Sequence, residues 1–292
     1  MIVVKLMGGL GNQMFQYAAG RRLADRHRTK LYIDLSWFET VAEVDTKRTY
    51  ELGCFDLKAE FISPSRYALV MDDTRNLKTQ IYTYTKGFIK PRVRLYLEQG
   101  HGYNKDFFKL PDNTYLEGFW QNEKYFSDIR DALLNEFSFK TKPVGKNRQI
   151  LKDIQSTNAV SLHVRRGDYV NNKRTKAFHG VIGLGYYKKA TARLIKDVDK
   201  PHFFVFSDDP NWCRHNLKLD FPTTYVSGNR AGFEDLRLMI NCQHHIIANS
   251  SFSWWGAWLS VNPNKIVAGP KEWFRDKSVD TSDVLPDSWI KL

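Results

Sequence analysis

Residues 159–169 read AVSLHVRRGDY. Val160, Leu162 and Val164 alternate with Ala159, Ser161 and His163, which is the period of a strand. The strand then stops at Arg165, Arg166, Gly167 and Asp168. Two adjacent arginines make a poor core, because an arginine buried without partners is costly. Just past a parallel strand they stand where open α/β sheets hold ligands. Downstream the chain alternates regularly: helix 185–197, strand 202–207, short helix 211–217, strand 223–226, helix 233–242, strand 245–248, helix 253–259 and strand 265–268. That rhythm predicts a doubly wound parallel sheet with helices on both faces.

The N-terminal end opens in the same way. An apolar run at 2–7 ends in Gly8, Gly9, Leu10 and Gly11. Met14, Phe15, Ala18, Ala19 and Leu23 then follow at helical spacing, and 31–35 reads as a second strand. Residues 36–115 are less periodic and are broken by Pro64, Pro91 and Pro111, so short helices and loops are predicted there. A helix is predicted over 127–137. The basic, Pro- and Gly-containing segment 140–147 is the predicted linker, giving an N-terminal α/β domain over 1–145 and a C-terminal one over 146–292, with a cleft between them.

Composition narrows the functional classes. At 42% hydrophobic and 26% charged residues, the 292-residue chain is globular rather than disordered. Its 44 Lys+Arg against 32 Asp+Glu give a net charge of +12, which suggests an anionic partner. The basic run 86–94 (KGFIKPRVR) reads as a solvated face, or as a contact with an anionic membrane surface. Cys54, Cys213 and Cys242 are scattered, so they form neither a disulfide framework nor a zinc site, and a reducing compartment is expected. No apolar stretch is long enough to span a bilayer, and the first residues read as a strand rather than a signal sequence.

Four polar constellations stand out. In GGLGNQMFQ at 8–16, the pattern G-G-x-G-N-Q is not the dinucleotide fingerprint, and no Walker lysine follows. Asn12 and Gln13 lie just inside the helix start, either to meet a ligand or to cap a structural turn. In the second constellation, around Arg165 and Arg166, one arginine can fork onto a diphosphate while the other pairs with Asp168; an interdomain salt-bridge network is the other reading. Asp208 and Asp209 follow strand 202–207, where they could hold a ribose, a guanine N–H edge or a metal, or cap the next helix. Ser250, Ser251 and Ser253 sit where a strand turns into a helix, as a phosphate cradle or as an ordinary N-cap. Three of the four lie in the second half and describe a site for an anionic nucleotide there.

The stretches GGLGNQMFQYA at 8–18, HVRRGDY at 163–169, FSDD at 206–209 and DLRLMINCQHHIIANSSFSWWGAWL at 235–259 carry a resemblance. On them the chain resembles the galactoside α-1,2-fucosyltransferases of glycosyltransferase family 11, in their bacterial form. The resemblance implies a GT-B-like fold of two Rossmann-like domains, with the acceptor on the N-terminal side. It implies inverting transfer of L-fucose from GDP-L-fucose to the 2-hydroxyl of a terminal β-galactose, with no divalent metal. Arg165 would then contact the diphosphate and His163 the nucleoside. Ser250 or Ser251 would meet the phosphates. The acceptor would be a glycan of O-antigen or capsular type, lipid-linked, handled in the cytoplasm or at the inner face of the membrane. A related group of fucosyltransferases carries a glutamate shortly after the arginine pair. Here residues 169–175 read YVNNKRT and hold no carboxylate, so that base does not transfer.

Cleavage of a sugar–phosphate bond builds negative charge on the leaving phosphate, and metal-free catalysis needs donors already aimed at it. Arg165 and the serine turn are the expected suppliers. Asp168 is the expected base, with Asp208, Asp209, Glu117, His163 and His179 as alternatives; its other task would be to orient Arg166. Competing classes are a transferase using another nucleotide sugar, a lectin-like binder and a nucleic-acid-binding module. The last lacks a helix-turn-helix, a zinc spacing or an RNP-like aromatic pattern.

Overall fold

The computed structural model describes residues 1–40, 47–62 and 93–292, without the side chains of Thr40, Asp168, Asn171, Lys173 and Arg174. The basic run 86–94 therefore lies outside the described residues except for Val93 and Arg94. The chain divides into two compact units, Met1–Ser138 and Phe139–Leu292. Both are α/β.

Among the described residues, the first unit holds a parallel sheet of β1 (Ile2–Lys5), β2 (Leu31–Asp34), β3 (Glu60–Phe61), β4 (Arg94–Leu97) and β5 (Thr114–Glu117). Its order is β3-β2-β1-β5-β4. Ile2, Val3 and Val4 are fully buried, so β1 is the central strand that its apolar run predicts. The helix Leu10–Arg26 buries Met14, Phe15, Ala18, Ala19 and Leu23, the spaced apolar set. Strands β3, β4 and β5 correct the reading of 36–115 as helices and loops. β5 is only four residues long, set between Asn113 in the left-handed region (φ 60) and Gly118. β4 is an edge strand whose residues are mostly exposed, so it carries no buried alternation.

The second unit holds β6 (Asn158–Val164), β7 (Pro201–Ser207), β8 (Thr223–Tyr225), β9 (His244–Ile246), β10 (Val267–Gly269) and β11 (Ile290–Lys291). Their order is β11-β10-β9-β6-β7-β8, and every pairing is parallel. One face packs Val160, Leu162, Val164, Phe203 and Val205 against Tyr187, Ala190 and Leu194 of the helix Leu184–Leu194. The other packs Ala159, Phe204 and Phe206 against Ile150 and Ile154 of the helix Gly145–Gln155, and against Leu238 and Met239 of the helix Gly232–Asn241. Alternate residues of the same strands feed opposite cores, which is the doubly wound arrangement.

The segment 140–147 belongs to the second unit and is mostly exposed. The Phe139 ring lies 6.3 Å from Phe233, and the Thr141 hydroxyl accepts a hydrogen bond from Arg237 at 3.0 Å.

In each sheet, strands are added first to one side of the opening strand and then to the other. The order reverses between β1 and β5 in the first sheet, and between β6 and β9 in the second. A crevice opens at such a switch point beyond the strands' C-terminal ends, because the following connections leave toward opposite faces.

Candidate active site

The register of β6 and β7 builds the centre of the second site. Val164 pairs with Ser207, so the next residues of each strand, Arg165 with Asp208 and Arg166 with Asp209, come alongside. Arg165 Nη1 lies 3.0 Å from Asp208 Oδ2, with both side chains about a quarter exposed (23% and 25%). The other Asp208 oxygen accepts the Arg166 backbone N–H at 2.9 Å. Gly167 makes this approach possible, because a Cβ there would stand 2.7 Å from Asp208 Oδ2.

Arg166 is held differently. Its Nε lies 3.3 Å from Asp209 Oδ2, and its guanidinium carbon lies 3.8 Å from the centre of the Trp212 ring. Such stacking contributes about 0.5–2 kcal/mol. Asp209 also caps the helix Pro210–Asn216 by accepting from Trp212 N–H at 3.1 Å. Both aspartates are thus tied to the arginine pair. Among the described residues no group of three or more His, Cys, Asp or Glu side chains is placed to hold a metal ion.

His163 is buried at the end of β6, its ring 5.7 Å from Phe252. Burial pushes its pKa down to about 3; the Arg165 charge adds to the fall and the Asp208 charge opposes it. The imidazole is neutral, and its Nδ1 has no hydrogen-bond partner among the described residues. A buried polar atom left so costs about 1–3 kcal/mol.

Across the switch point, β9 runs through Ile247 and Ala248 into Asn249 and Ser250. Ser250 is the N-cap of the helix Ser251–Leu259, and its hydroxyl makes no capping bond. The first intrahelical bond runs from Trp254 N–H to the Ser250 carbonyl at 3.0 Å, so the N–H groups of Phe252 and Ser253 lie ahead of the ladder. A helix start of this kind favours an anion. Tyr169, which the sequence reading did not single out, joins the two sides. Its hydroxyl donates to the Asn249 carbonyl at 3.1 Å, and Arg165 lies 5.6 Å from its ring. His179 stacks on the same ring at 4.7 Å. Asp168 is backbone only here; its side chain lies outside the described residues.

A further carboxylate was missed because nothing in its local sequence marks it. Asp235 lies in the first turn of the helix Gly232–Asn241 and accepts from the Asn229 amide at 2.6 Å. Burial raises its pKa to about 6; the Asn229 bond lowers it and nearby Glu234 raises it further. Helices in such a sheet run opposite to the strands, so this first turn stands at the same edge as His163 and Ser250.

The first unit places its predicted residues at its own switch point. Asn12 Oδ1 accepts from Gln121 Nε2 at 2.9 Å. Gln13 is fully buried; its Nε2 donates to the Gly8 and Thr49 carbonyls at 2.9 and 2.8 Å, and its Oε1 accepts from Glu51 N–H at 2.8 Å. It staples the loops around Gly8 and Thr49–Glu51 together. Gln16 joins the ends of β1 and β5 by accepting from Met7 N–H at 2.9 Å and donating to the Gly118 carbonyl at 3.0 Å. Glu117 pairs with Lys5 at 3.2 Å.

Comparison with known proteins gives this geometry a family. The chain is 33% identical to the O-antigen biosynthesis glycosyltransferase WbnK of Escherichia coli, over 98% of its own length and 99% of that protein. It is 31% identical to an alpha-1,2-colitosyltransferase of Escherichia coli, over 100% and 98%. The fold matches the crystal structure of NodZ alpha-1,6-fucosyltransferase soaked with GDP-fucose, with a TM-score of 0.51 at 14% identity, covering 88% of this chain and 91% of that one. Two parallel sheets with flanking helices therefore form a GT-B-like, two-Rossmann glycosyltransferase architecture. The sequence profile described as glycosyl transferase family 11 matches residues 91–292, and the chain belongs to that family of glycosyltransferases.

Proposed function

We propose that the protein transfers L-fucose from GDP-β-L-fucose to the 2-hydroxyl of a terminal β-galactose, with inversion at the anomeric carbon. The observation that carries this reading is the flanking of one switch point by Arg165 and by the start of the helix Ser251–Leu259. A diphosphate bound there meets a guanidinium on one side and backbone N–H groups on the other. His163 and Asp235 lie at the same edge, a neutral imidazole and a carboxylate with no cation partner among the described residues, suited to the N–H and carbonyl edge of a guanine.

In the reaction the bond from C1 to the β-phosphate oxygen breaks as the bond from C1 to the acceptor oxygen forms. Charge grows on the departing phosphate, and Arg165 with Ser250, Ser251 and the helix start receives it. These donors provide the stabilisation that a divalent metal provides elsewhere, so activity should persist in excess EDTA. The acceptor hydroxyl gives its proton to a base. Arg166 is already oriented by Asp209 and Trp212, so Asp168 is not needed for that task and is our assignment for the base.

The acceptor side falls to the first unit, and the acceptor to a lipid-linked O-antigen or capsular precursor at the inner face of a bacterial membrane. The O-antigen role of the relative from Escherichia coli supports that setting. A second reading concerns the donor alone. A relative at 31% identity is named as a colitosyltransferase, and colitose is L-fucose without its 3-hydroxyl.

The test is to offer GDP-L-fucose, and separately its 3-deoxy counterpart, with a panel of β-galactosides and determine the product linkage, alongside calorimetry against GDP, UDP and ADP. A 2-linked fucoside and GDP-selective binding support the proposal. Transfer only from the 3-deoxy donor moves it to the second reading. Selective binding of UDP or ADP, or a linkage at another hydroxyl, overturns it.

A further inference from the structure

Trp120 is a bulky residue held in the left-handed region (φ 49) and 1% exposed. A side chain of that size in this conformation costs on the order of 1–3 kcal/mol, and such strain persists only where the surroundings over-determine it. Here the surroundings are Glu98. β4 and β5 run in register, with Leu97 beside Glu117, so Glu98 comes beside Gly118. Its carboxylate reaches over that glycine, accepting from Phe119 N–H at 2.5 Å and from Trp120 N–H at 2.9 Å. A Cβ on residue 118 would stand 2.4 Å from Glu98 Cβ, so the crossing requires glycine. Burial raises the Glu98 pKa, and the two N–H bonds offset part of that rise.

This clasp stands at a particular place. The turn 118–121 leaves the C-terminal end of β5, at the switch point of the first sheet, where Gln16 ties it to the end of β1 and Gln121 donates to Asn12. Among the described residues, this edge carries the amides of Asn12, Gln16 and Gln121, the Lys5–Glu117 pair and the half-buried ring of Phe119, with the Arg48 guanidinium beside Gly9. Amides and an aromatic ring suit a hydroxyl-rich sugar.

We propose that Glu98 is a positioning residue for the acceptor: it holds the strained turn 118–121 in the shape that receives the terminal pyranose, with Gln121 and Asn12 as polar contacts. The inference rests on the transferase reading above and adds the subsite to it. Glu98 touches no substrate. It acts through the backbone of Phe119 and Trp120.

The experiment measures steady-state kinetics of the full chain with GDP-L-fucose and the β-galactoside on which the wild type is most active. Glu98→Gln keeps the shape but sets an NH2 group against one of the two N–H donors. Gly118→Ala breaks the same clasp from the other side. In both variants the acceptor KM should rise by about tenfold or more, with the KM for GDP-L-fucose within about twofold of wild type. Equal rises in both KM values, a fall in kcat alone, or variants that no longer fold would each overturn the positioning role, because the clasp would then serve the fold or the donor. If the wild type fucosylates no β-galactoside, the transferase reading itself fails, and this inference with it.

Discussion

Arg165 is paired with Asp208 at 3.0 Å. The carboxylate holds the guanidinium at the end of β6 while its second oxygen fixes the Arg166 backbone. A guanidinium carries five N–H donors in a planar fork that matches the oxygens of a diphosphate. Arg165→Lys keeps the charge but loses the fork. It should lower kcat/KM by about two to three orders of magnitude, with Arg165→Ala at least as severe. Circular dichroism should show both variants folded. Retention of more than about a tenth of wild-type kcat/KM in Arg165→Ala would remove Arg165 from the mechanism.

Gly167 supplies the space that Asp208 occupies. A methyl group at 167 would stand 2.7 Å from Asp208 Oδ2, so Gly167→Ala should push the carboxylate away from both arginines. Activity should fall by about tenfold to a hundredfold while the melting temperature changes little. The mechanism makes a sharper demand in a double-mutant cycle. In an Asp208→Ala background, Gly167→Ala should have almost no further effect, because the group it displaces is gone. Additive losses would show that the glycine acts by another route.

Asp235 gives a pH test. Its folded-state pKa of about 6 lies above the ordinary aspartate value of 3.8. The folded protein thus binds this proton more tightly than the unfolded chain does. The stability this provides is full below about pH 4 and is lost as pH rises through 6. At pH 8 the buried charge is a net cost of roughly 1–3 kcal/mol. Asp235→Asn should raise the melting temperature at pH 8 and leave it nearly unchanged at pH 4. If the carboxylate also meets the guanine, the same variant should weaken GDP binding by calorimetry at pH 8. Equal melting shifts at both pH values would exclude the titration.

How far the sequence discloses this site depends on the reach of each interaction. The second sheet is legible because β6, β7 and β9 are apolar runs bounded by charged or serine-rich turns. The grouping of Arg165, Arg166, Asp208 and Asp209 at one edge follows from that topology. The pairing itself is not legible. Asp209, 43 residues away, lies beside Arg166 because of the β6–β7 register. Trp212 and Asp235 are invisible for the same reason, since stacking and burial are products of tertiary packing. In the first unit, β4 and β5 are short and lack a buried alternation, so the edge at which Glu98 clasps Trp120 cannot be located before the strands pair.

Gln13 separates fold from chemistry in the segment GGLGNQMFQ. Its amide spans the Gly8 and Thr49 carbonyls and the Glu51 N–H, and all of it is buried. Truncation to alanine leaves those backbone groups without partners inside the protein, at about 1–3 kcal/mol for each one that water cannot reach. Gln13→Ala should therefore lower the denaturation midpoint by an amount equivalent to roughly 2–4 kcal/mol. Below its transition, kcat and both KM values should stay within about threefold of wild type. Gln13→Glu retains an acceptor for Glu51 N–H but turns an anionic oxygen toward two carbonyls, and should be destabilised at least as much near neutral pH. A Gln13→Ala variant of wild-type stability with a large loss of kcat would instead make this amide a ligand contact.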